Sequence, residues 1–172
     1  MTDQLNKQDL EANIISYGES PLVSNFADTH FKFQGKQFRS AEAFIHYIKY
    51  PEGHPEKKKM AKLFGKEAKK GVIREIREKI NRKLRAGETP MVYWNGQAIK
   101  WRSPEHYGLI KQALRAKFEQ NAEAYNQLMA TGERKLVHDT GTQESLNTSF
   151  PASEFTRILT ELREEFRSSS DK

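Results

Sequence analysis

The segment 40–50 constrains the fold most, because it predicts a short helix with one face that must be buried. Ser40 is a favourable N-cap, since its hydroxyl can accept a hydrogen bond from a free backbone N–H in the first turn. At about 100° per residue, the apolar side chains form a single stripe: Ala41, Phe44, Ile45 and Ile48. We therefore expect the neighbouring segments to pack around this helix.

A second stripe on the same helix carries groups that can transfer protons or attack an electrophile. Glu42, His46 and Lys49 follow one another at the spacing i, i+4, i+7, beside the apolar stripe. At such a boundary between core and solvent, pKa values shift. Each residue alone has an ordinary structural explanation: Glu42 and Lys49 complement the two ends of a helix, and a lone His46 is more often a hydrogen-bonded residue at the edge of the core. Because all three lie on one stripe, a functional site becomes as good an explanation as these structural roles.

Composition bounds the class of protein. The 172 residues indicate one domain, and ten Phe, six Tyr and two Trp are enough for one core. No apolar run approaches the roughly 18 residues that span a bilayer, and the first residues do not resemble a secretory signal. We expect a cytoplasmic protein with no membrane partner. The absence of cysteine excludes disulfides, thiolate zinc sites and a Cys nucleophile.

Positive charge is concentrated in one tract. The net charge is +6, and Lys and Arg dominate from residue 57 to residue 85. A basic domain is typical of proteins that bind nucleic acid or phosphorylated ligands. The alternative is a solvated surface, since Glu67, Glu75 and Glu78 lie at helical spacings from bases and neutralise part of the tract.

The remaining patterns predict an α+β fold, a mostly helical single domain with small β-hairpins. Asn95-Gly96 lies between two apolar runs and fits a type I′ hairpin turn. Ser103 followed by Pro104 predicts the start of a long helix. The other expected elements are a strand over 12–17, a hairpin over 30–38, helices over 56–70, 73–84, 122–129 and 155–166, a strand over 135–139 and a loop over 140–149. We expect a flexible leader over 1–11, one domain over 12–167 and a disordered tail over 168–172.

Several single residues are candidates for ligand contacts, each with a structural alternative. Asn25 is either a turn residue or a hydrogen-bond partner for a purine or ribose edge. Trp101 is either a core residue or a stacking surface for a base. Asp139 either caps a strand or acts as a second carboxylate. The five histidines show no paired metal-ligand spacing, and no glycine-rich phosphate loop follows a strand.

The order of these motifs resembles the NADAR family of YbiA-like proteins. That family begins with a Ser-Asn-Phe segment, as at 24–26, followed by a hairpin and a Thr-x-Glu-His-Tyr-x-Gln-Ala-x-Lys helix, as at 40–49. Weaker likenesses follow in order at 68–71, Trp101, 116–121, 128–132 and 136–139. Three features depart from the pattern. His46 replaces a Gln, Ala43 replaces a His, and residues 139–148 replace a Trp-Gly segment.

The resemblance implies a YbiA-like fold and an N-glycosidase that cleaves a ribose C1–nitrogen bond. The implied substrates are ADP-ribose attached to guanine bases of DNA or nucleotides, whose removal reverses ADP-ribosylation, or phosphorylated ribosylamino-pyrimidine intermediates of riboflavin synthesis. No metal or cofactor is implied. Developing charge at C1 calls for a carboxylate, and an amine of depressed pKa can form a Schiff base there. We predict Lys49 as nucleophile, Glu42 as base or stabiliser and His46 as proton carrier.

The predicted substrate-binding residues are Ser24, Asn25, Phe26, Phe44, Trp101 and Asp139. In a simpler mechanism, Lys49 clamps a phosphate while Glu42 activates water. Two further function classes stay open. The first is a non-catalytic binder of nucleic acid or of an ADP-ribosylated ligand. The second is a small helical interaction protein, which would bury Glu42 and Lys49 in ion pairs with no adjacent cavity.

Overall fold

The computed structural model describes residues 7–170 as short strands arranged around and between helices. The elements in chain order are α1 (Lys7–Leu10), β1 (Glu11–Asn13), β2 (Phe31–Phe33), β3 (Lys36–Phe38), α2 (Ala41–Tyr47), α3 (Lys57–Met60), α4 (Gly65–Lys70), α5 (Arg74–Arg85), β4 (Met91–Trp94), β5 (Gln97–Lys100), α6 (Pro104–Gln120), α7 (Ala122–Ala130), β6 (Lys135–Val137) and α8 (Ala152–Ser170). The predicted α+β class is confirmed. No described helix is long and apolar enough to cross a membrane.

Two of the three strand pairs are the predicted hairpins. β2 pairs with β3 and β4 pairs with β5, both antiparallel. Each turn has two residues at positive φ, Gln34 and Gly35 in one and Asn95 and Gly96 in the other, as type I′ turns require. The third pair, β1 with β6, is parallel and joins Glu11 to Lys135. Local sequence patterns cannot indicate a pairing across more than 120 residues, and the sequence did not predict it.

The predicted helix over 56–70 is instead two helices, α3 and α4. The chain extends at Phe64 (φ −147°) and turns left-handed at Gly65 (φ +60°). The Gly65 N–H donates to the Phe26 carbonyl oxygen at 2.8 Å. This contact with a distant segment satisfies a backbone donor that a continuous helix would have used internally.

The predicted ends of the domain also differ from the structure. α1 and the start of β1 occupy residues 7–11, which were expected to be a flexible leader. The first strand ends at Asn13 rather than at residue 17. α8 continues to Ser170, inside the expected disordered tail. Residues 1–6 and 171–172 of those predicted segments lie outside the described residues.

Helix α2 lies at the centre of the domain and buries its predicted apolar stripe. The stripe residues Ala41, Phe44, Ile45 and Ile48 are at most 4% exposed. Helices α3, α4 and α6 and strand β3 pack against α2. Ser40 is the predicted N-cap: its hydroxyl accepts from the Ala43 N–H at 3.0 Å and donates to the Leu63 carbonyl oxygen at 2.8 Å. The cap therefore joins the start of α2 to the α3–α4 connection.

A buried lysine on α6 anchors the segment that precedes the site. Lys117 is fully buried, and its Nζ donates to the carbonyl oxygens of Val23 and Ser24 at 3.2 and 2.8 Å. Burial lowers the pKa of Lys117 to about 7, from an ordinary value of 10.5. The hydrogen bond to Val23 satisfies a carbonyl group that has no other donor among the described residues, while the Ser24 carbonyl oxygen also accepts from the Ala27 N–H at 3.2 Å.

Replacing Lys117 with methionine is expected to change how stability depends on pH. Between pH 7 and 10.5 the Lys117 amine is protonated in the unfolded chain and uncharged in the folded chain. Because the unfolded chain binds one more proton, raising the pH in this range increases the wild-type free energy of unfolding. Relative to Lys117→Met, the wild-type free energy of unfolding should rise by about 1.4 kcal/mol per pH unit above pH 7. Urea unfolding at pH 7 to 9 measures this slope. Lys135→Met, at an exposed position, should parallel wild type, and a parallel Lys117→Met curve would contradict the prediction.

Candidate active site

Glu42 and His46 form a hydrogen-bonded pair on α2. His46 Nε2 lies 2.9 Å from Glu42 Oε1, and the two side chains are 12% and 13% exposed. Burial opposes ionisation of Glu42, yet the interaction with His46, which includes a hydrogen bond, and the charge of Lys49 hold its pKa below the usual value. Burial and the Lys49 charge lower the pKa of His46. At neutral pH we therefore assign a neutral imidazole whose Nε2–H donates to a carboxylate, which leaves Nδ1 as an acceptor.

Lys49 lies one residue beyond the C-cap of α2 and completes the predicted stripe. Its N–H donates to the His46 carbonyl oxygen at 3.1 Å, which continues the helical turn. Burial lowers the pKa of Lys49 to about 8, although the Glu42 carboxylate acts in the opposite direction. The Nζ lies 5.6 Å from the ring centroid of Trp101. A substantial fraction of Lys49 is thus uncharged in mildly alkaline solution, as a nucleophilic amine requires.

Unpartnered polar atoms mark this part of the molecule. Five buried side-chain polar atoms of the described residues have no hydrogen-bond partner. Four belong to residues in or near the predicted site: Asn25 Oδ1, His46 Nδ1, Trp101 Nε1 and His106 Nε2. An unpaired buried polar atom costs about 1–3 kcal/mol, so a cluster of them indicates a surface that a ligand or water completes. The fifth atom, Arg163 Nε, is on α8.

The Ser-Asn-Phe segment is held against the start of α2. The Asn25 carbonyl oxygen accepts from the Glu42 N–H at 2.8 Å, so Asn25 lies directly beside Glu42. The Asn25 side-chain oxygen has no partner and remains free for a ligand. Ser24 is buried, and its hydroxyl accepts from the Phe26 N–H at 3.2 Å. This hydrogen bond makes Ser24 a residue that shapes the turn, while its neighbour Asn25 offers the free polar atom.

Two comparisons show what this chain is similar to. A family model described as "Bacteriophage protein GP30.3" matches residues 17–164, which is most of the chain. The chain belongs to the bacteriophage protein GP30.3 family. The NMR structure of the E. coli protein YbiA is similar in fold, with a TM-score of 0.58 and 21% identity over 99% of this chain and 93% of that chain. No curated protein matches the chain in sequence.

In this GP30.3-family protein, Phe44 is a core residue, which corrects its predicted role in substrate binding. It is 1% exposed, and its ring contacts the rings of Phe33, Phe38 and Trp94 with centroids 5.1 to 5.6 Å apart. The side chain points into this aromatic cluster because position 44 lies on the apolar stripe, not on the Glu42 stripe. A ligand could reach Phe44 only if the cluster opened.

Asp139 belongs to a different hydrogen-bonded group from the α2 stripe. Its backbone N–H donates a hydrogen bond to Asn13 Oδ1 at 2.9 Å. Its side-chain Oδ1 accepts from the Gly141 N–H at 2.9 Å. These bonds close the end of the β1–β6 pair. They match the capping alternative for Asp139, and no contact recorded among residues 7–170 joins its carboxylate to Glu42 or Lys49.

His106 is a site residue that sequence analysis did not select. Its Nδ1 accepts from the Arg102 N–H at 2.9 Å, so the neutral ring carries its proton on the unpartnered Nε2. Burial, together with the charges of Lys49 and Arg102, lowers the pKa of His106 to about 4, which keeps the ring neutral. Its ring centroid lies 6.0 Å from that of Trp101. His106 is thus a fixed hydrogen-bond donor beside the candidate nucleophile.

No signal in the sequence could have placed His106 here. Its position depends on Arg102, whose left-handed backbone (φ +56°) turns the chain from β5 into α6. The Arg102 guanidinium donates to the Thr148 carbonyl oxygen at 2.6 and 3.0 Å. These bonds hold the 140–149 loop against the Trp101–His106 side of the site. The loop that departs from the family pattern is therefore attached to the candidate site.

Proposed function

We propose that this protein is an N-glycosidase that cleaves a ribose C1–nitrogen bond. The proposed substrates are ADP-ribose linked to guanine in nucleic acid or nucleotides, and phosphorylated ribosylamino-pyrimidines. The observation that supports the proposal is the row Glu42–His46–Lys49, in which a carboxylate orients a neutral imidazole beside an amine of lowered pKa. The fold similarity to YbiA is consistent with the family resemblance of the motifs.

The proposed chemistry uses Lys49 as the nucleophile. Its uncharged Nζ donates an electron pair to C1 as the C1–nitrogen bond breaks and its electrons leave with the base. His46 Nδ1 accepts the proton released from Nζ, and the Glu42 carboxylate stabilises the imidazolium. The imidazolium then returns that proton to the departing nitrogen. Opening of the ribose ring gives an imine at Lys49, which water hydrolyses to free the amine and the sugar.

The unpartnered atoms supply contacts to the substrate in this proposal. Asn25 Oδ1 accepts from a base or ribose N–H or O–H group, and Phe26 flanks the base. The N–H groups of Trp101 and His106 are donors for ribose or base oxygens. Because these two donors are neutral and held by the fold, they add polarity without lowering the Lys49 pKa through charge.

The direct test measures cleavage of the two proposed substrates in parallel. Release of ADP-ribose from guanine-modified DNA is measured beside cleavage of a phosphorylated ribosylamino-pyrimidine. We expect cleavage of at least one, and a loss of about 100-fold or more in Glu42→Gln. Glu75→Gln, at an exposed carboxylate of α5, is the matched control. A Glu42→Gln variant with full activity would exclude the carboxylate, and binding without cleavage would favour the non-catalytic alternative.

The pH dependence separates the two roles considered for Lys49. A nucleophilic Lys49 must be uncharged, so single-turnover rates should rise about tenfold per pH unit at low pH and level above pH 8. Because the Glu42 charge raises the Lys49 pKa, Glu42→Gln should move the inflection of its residual rate to lower pH. A phosphate clamp must be protonated, so rates that fall above pH 8 would indicate the clamp.

A further inference from the structure

The Ser-Asn-Phe segment at 24–26 is held from one side by a buried amine. Lys117 of α6 donates from Nζ to the carbonyl oxygens of Val23 and Ser24, at 3.2 and 2.8 Å. Burial is what lowers the pKa of Lys117, since no charged group among residues 7–170 acts on it. The hydrogen bonds of this amine therefore go to the backbone that leads directly into Asn25.

Two further side chains at the end of α6 hold the backbone that follows this segment. The Gln120 side chain accepts from the Lys32 N–H at 2.7 Å and donates to the Lys32 carbonyl oxygen at 2.8 Å. The Asn121 amide donates to the His30 carbonyl oxygen at 2.9 Å and to the Lys117 carbonyl oxygen at 2.8 Å. Both side chains therefore fix the chain that connects the Ser-Asn-Phe segment to β2.

On its other side, the same segment is bonded to the start of α2 and of α4. The Asn25 carbonyl oxygen accepts from the Glu42 N–H, and the Phe26 carbonyl oxygen accepts from the Gly65 N–H, both at 2.8 Å. Residues 21–27 are in neither a helix nor a strand, so no ladder of backbone hydrogen bonds holds them. The place of the unpartnered Asn25 Oδ1 therefore depends on these contacts with α2, α4 and the end of α6.

We propose that Lys117, Gln120 and Asn121 are positioning residues, which hold the chain so that Asn25 Oδ1 meets a substrate N–H or O–H group beside Glu42. Lys117 has the largest effect, because it binds the carbonyl oxygen of the residue directly before Asn25. All three belong to the 116–121 stretch that resembles the family pattern, and the proposed chemistry uses none of them. The inference rests on the proposed function for the contact of Asn25 with substrate. It adds residues that act on the substrate only through Asn25.

Steady-state kinetics on guanine-ADP-ribosylated DNA and on the phosphorylated ribosylamino-pyrimidine separate positioning from stability. Lys117→Met should raise KM about 10-fold and leave kcat within about twofold, because it loses one hydrogen bond made equally in the bound substrate and the transition state. Asn25→Ala should have the same effect. If Lys117 acts only through Asn25, the double variant should equal Asn25→Ala, whereas independent effects would multiply to about 100-fold.

The matched control removes a different buried cation. Arg163 of α8 donates to Thr131 Oγ1 and to the Arg134 carbonyl oxygen, both at 2.9 Å. These bonds hold the turn between α7 and β6, and none goes to the segment that carries Asn25. Arg163→Met should therefore lower the stability, as Lys117→Met does, without changing KM.

A second measurement does not require cleavage. Amide hydrogen exchange followed by NMR should show the Glu42 and Gly65 N–H groups exchanging about 10-fold faster in Lys117→Met than in Arg163→Met, because their acceptors lie in the released segment. If Lys117→Met does not fold, Gln120→Ala/Asn121→Ala takes its place, since it leaves Lys117 intact. This double variant should raise KM about threefold and speed the same two amides.

Three results would overturn the inference. The first is unchanged exchange at Glu42 and Gly65 in the variant that folds. The second is a KM that stays at the wild-type value, or that rises equally in Arg163→Met. The third is multiplication of the Lys117 and Asn25 effects in the double variant. Faster exchange in a protein that cleaves neither substrate would reject the proposed function and keep the role of Lys117 in holding the segment.

Discussion

Replacing Lys49 with alanine is expected to lower the single-turnover rate by at least about 1000-fold, because the nucleophile of a covalent mechanism has no substitute. Borohydride added during turnover should trap wild-type protein covalently on its substrate, and mass spectrometry should place the adduct on Lys49. The Lys49→Ala variant should give no adduct. Because Lys49 packs over Trp101, thermal unfolding of each variant must show that the fold is retained.

Lys49→Arg distinguishes the nucleophile from the phosphate clamp. Arginine keeps the positive charge and binds phosphate well, but its guanidinium stays protonated and cannot form an imine. We expect Lys49→Arg to be as inactive as Lys49→Ala. The matched control is Lys135→Ala, at an exposed position on β6, which should retain wild-type activity. Substantial activity in Lys49→Arg, or an active wild type that never yields an adduct, would contradict the nucleophilic role.

Replacing Phe44 with alanine is expected to destabilise the protein by about 3–5 kcal/mol, since it empties a buried aromatic site. Phe44 joins the hairpin aromatics Phe33 and Phe38 to Trp94, so one truncation loosens three elements at once. Urea unfolding at constant pH measures the loss. Leu146→Ala, at a side chain that is 85% exposed, should change stability by less than about 0.5 kcal/mol.

A second variant at this position, Phe44→Leu, tests whether Phe44 contacts the ligand. If Phe44 is only a core residue, Phe44→Leu should keep the affinity for substrate while losing part of the stability. Unchanged stability together with weakened binding would return Phe44 to the substrate-binding residues. The comparison matters because position 44 is next to Ala43, where the family motif has histidine, although helical periodicity already placed Phe44 on the apolar stripe of α2.

Local patterns predicted the elements well where the information lies within a few residues. The N-cap at Ser40, the type I′ turn at Asn95 and the start of α6 after Ser103 all depend on short-range hydrogen bonds and backbone preferences. The apolar stripe of α2 depends on helical periodicity, which is equally local. The break at Phe64 was missed because its cause, a hydrogen bond from Gly65 to Phe26, joins residues far apart in the chain.

The candidate site also has one part that the sequence predicts and another that depends on the tertiary structure. Sequence by itself determined that Glu42, His46 and Lys49 share a stripe, because helix geometry fixes spacing within one element. Only the tertiary structure decided which neighbours surround that stripe. It brought Asn25, Trp101 and His106 near it. It also joined Asp139 to Asn13 and Gly141 by hydrogen bonds at the end of the β1–β6 pair. Burial by these distant elements also lowers the pKa of Lys49, so the chemistry of the predicted residues depends on packing that no local pattern encodes.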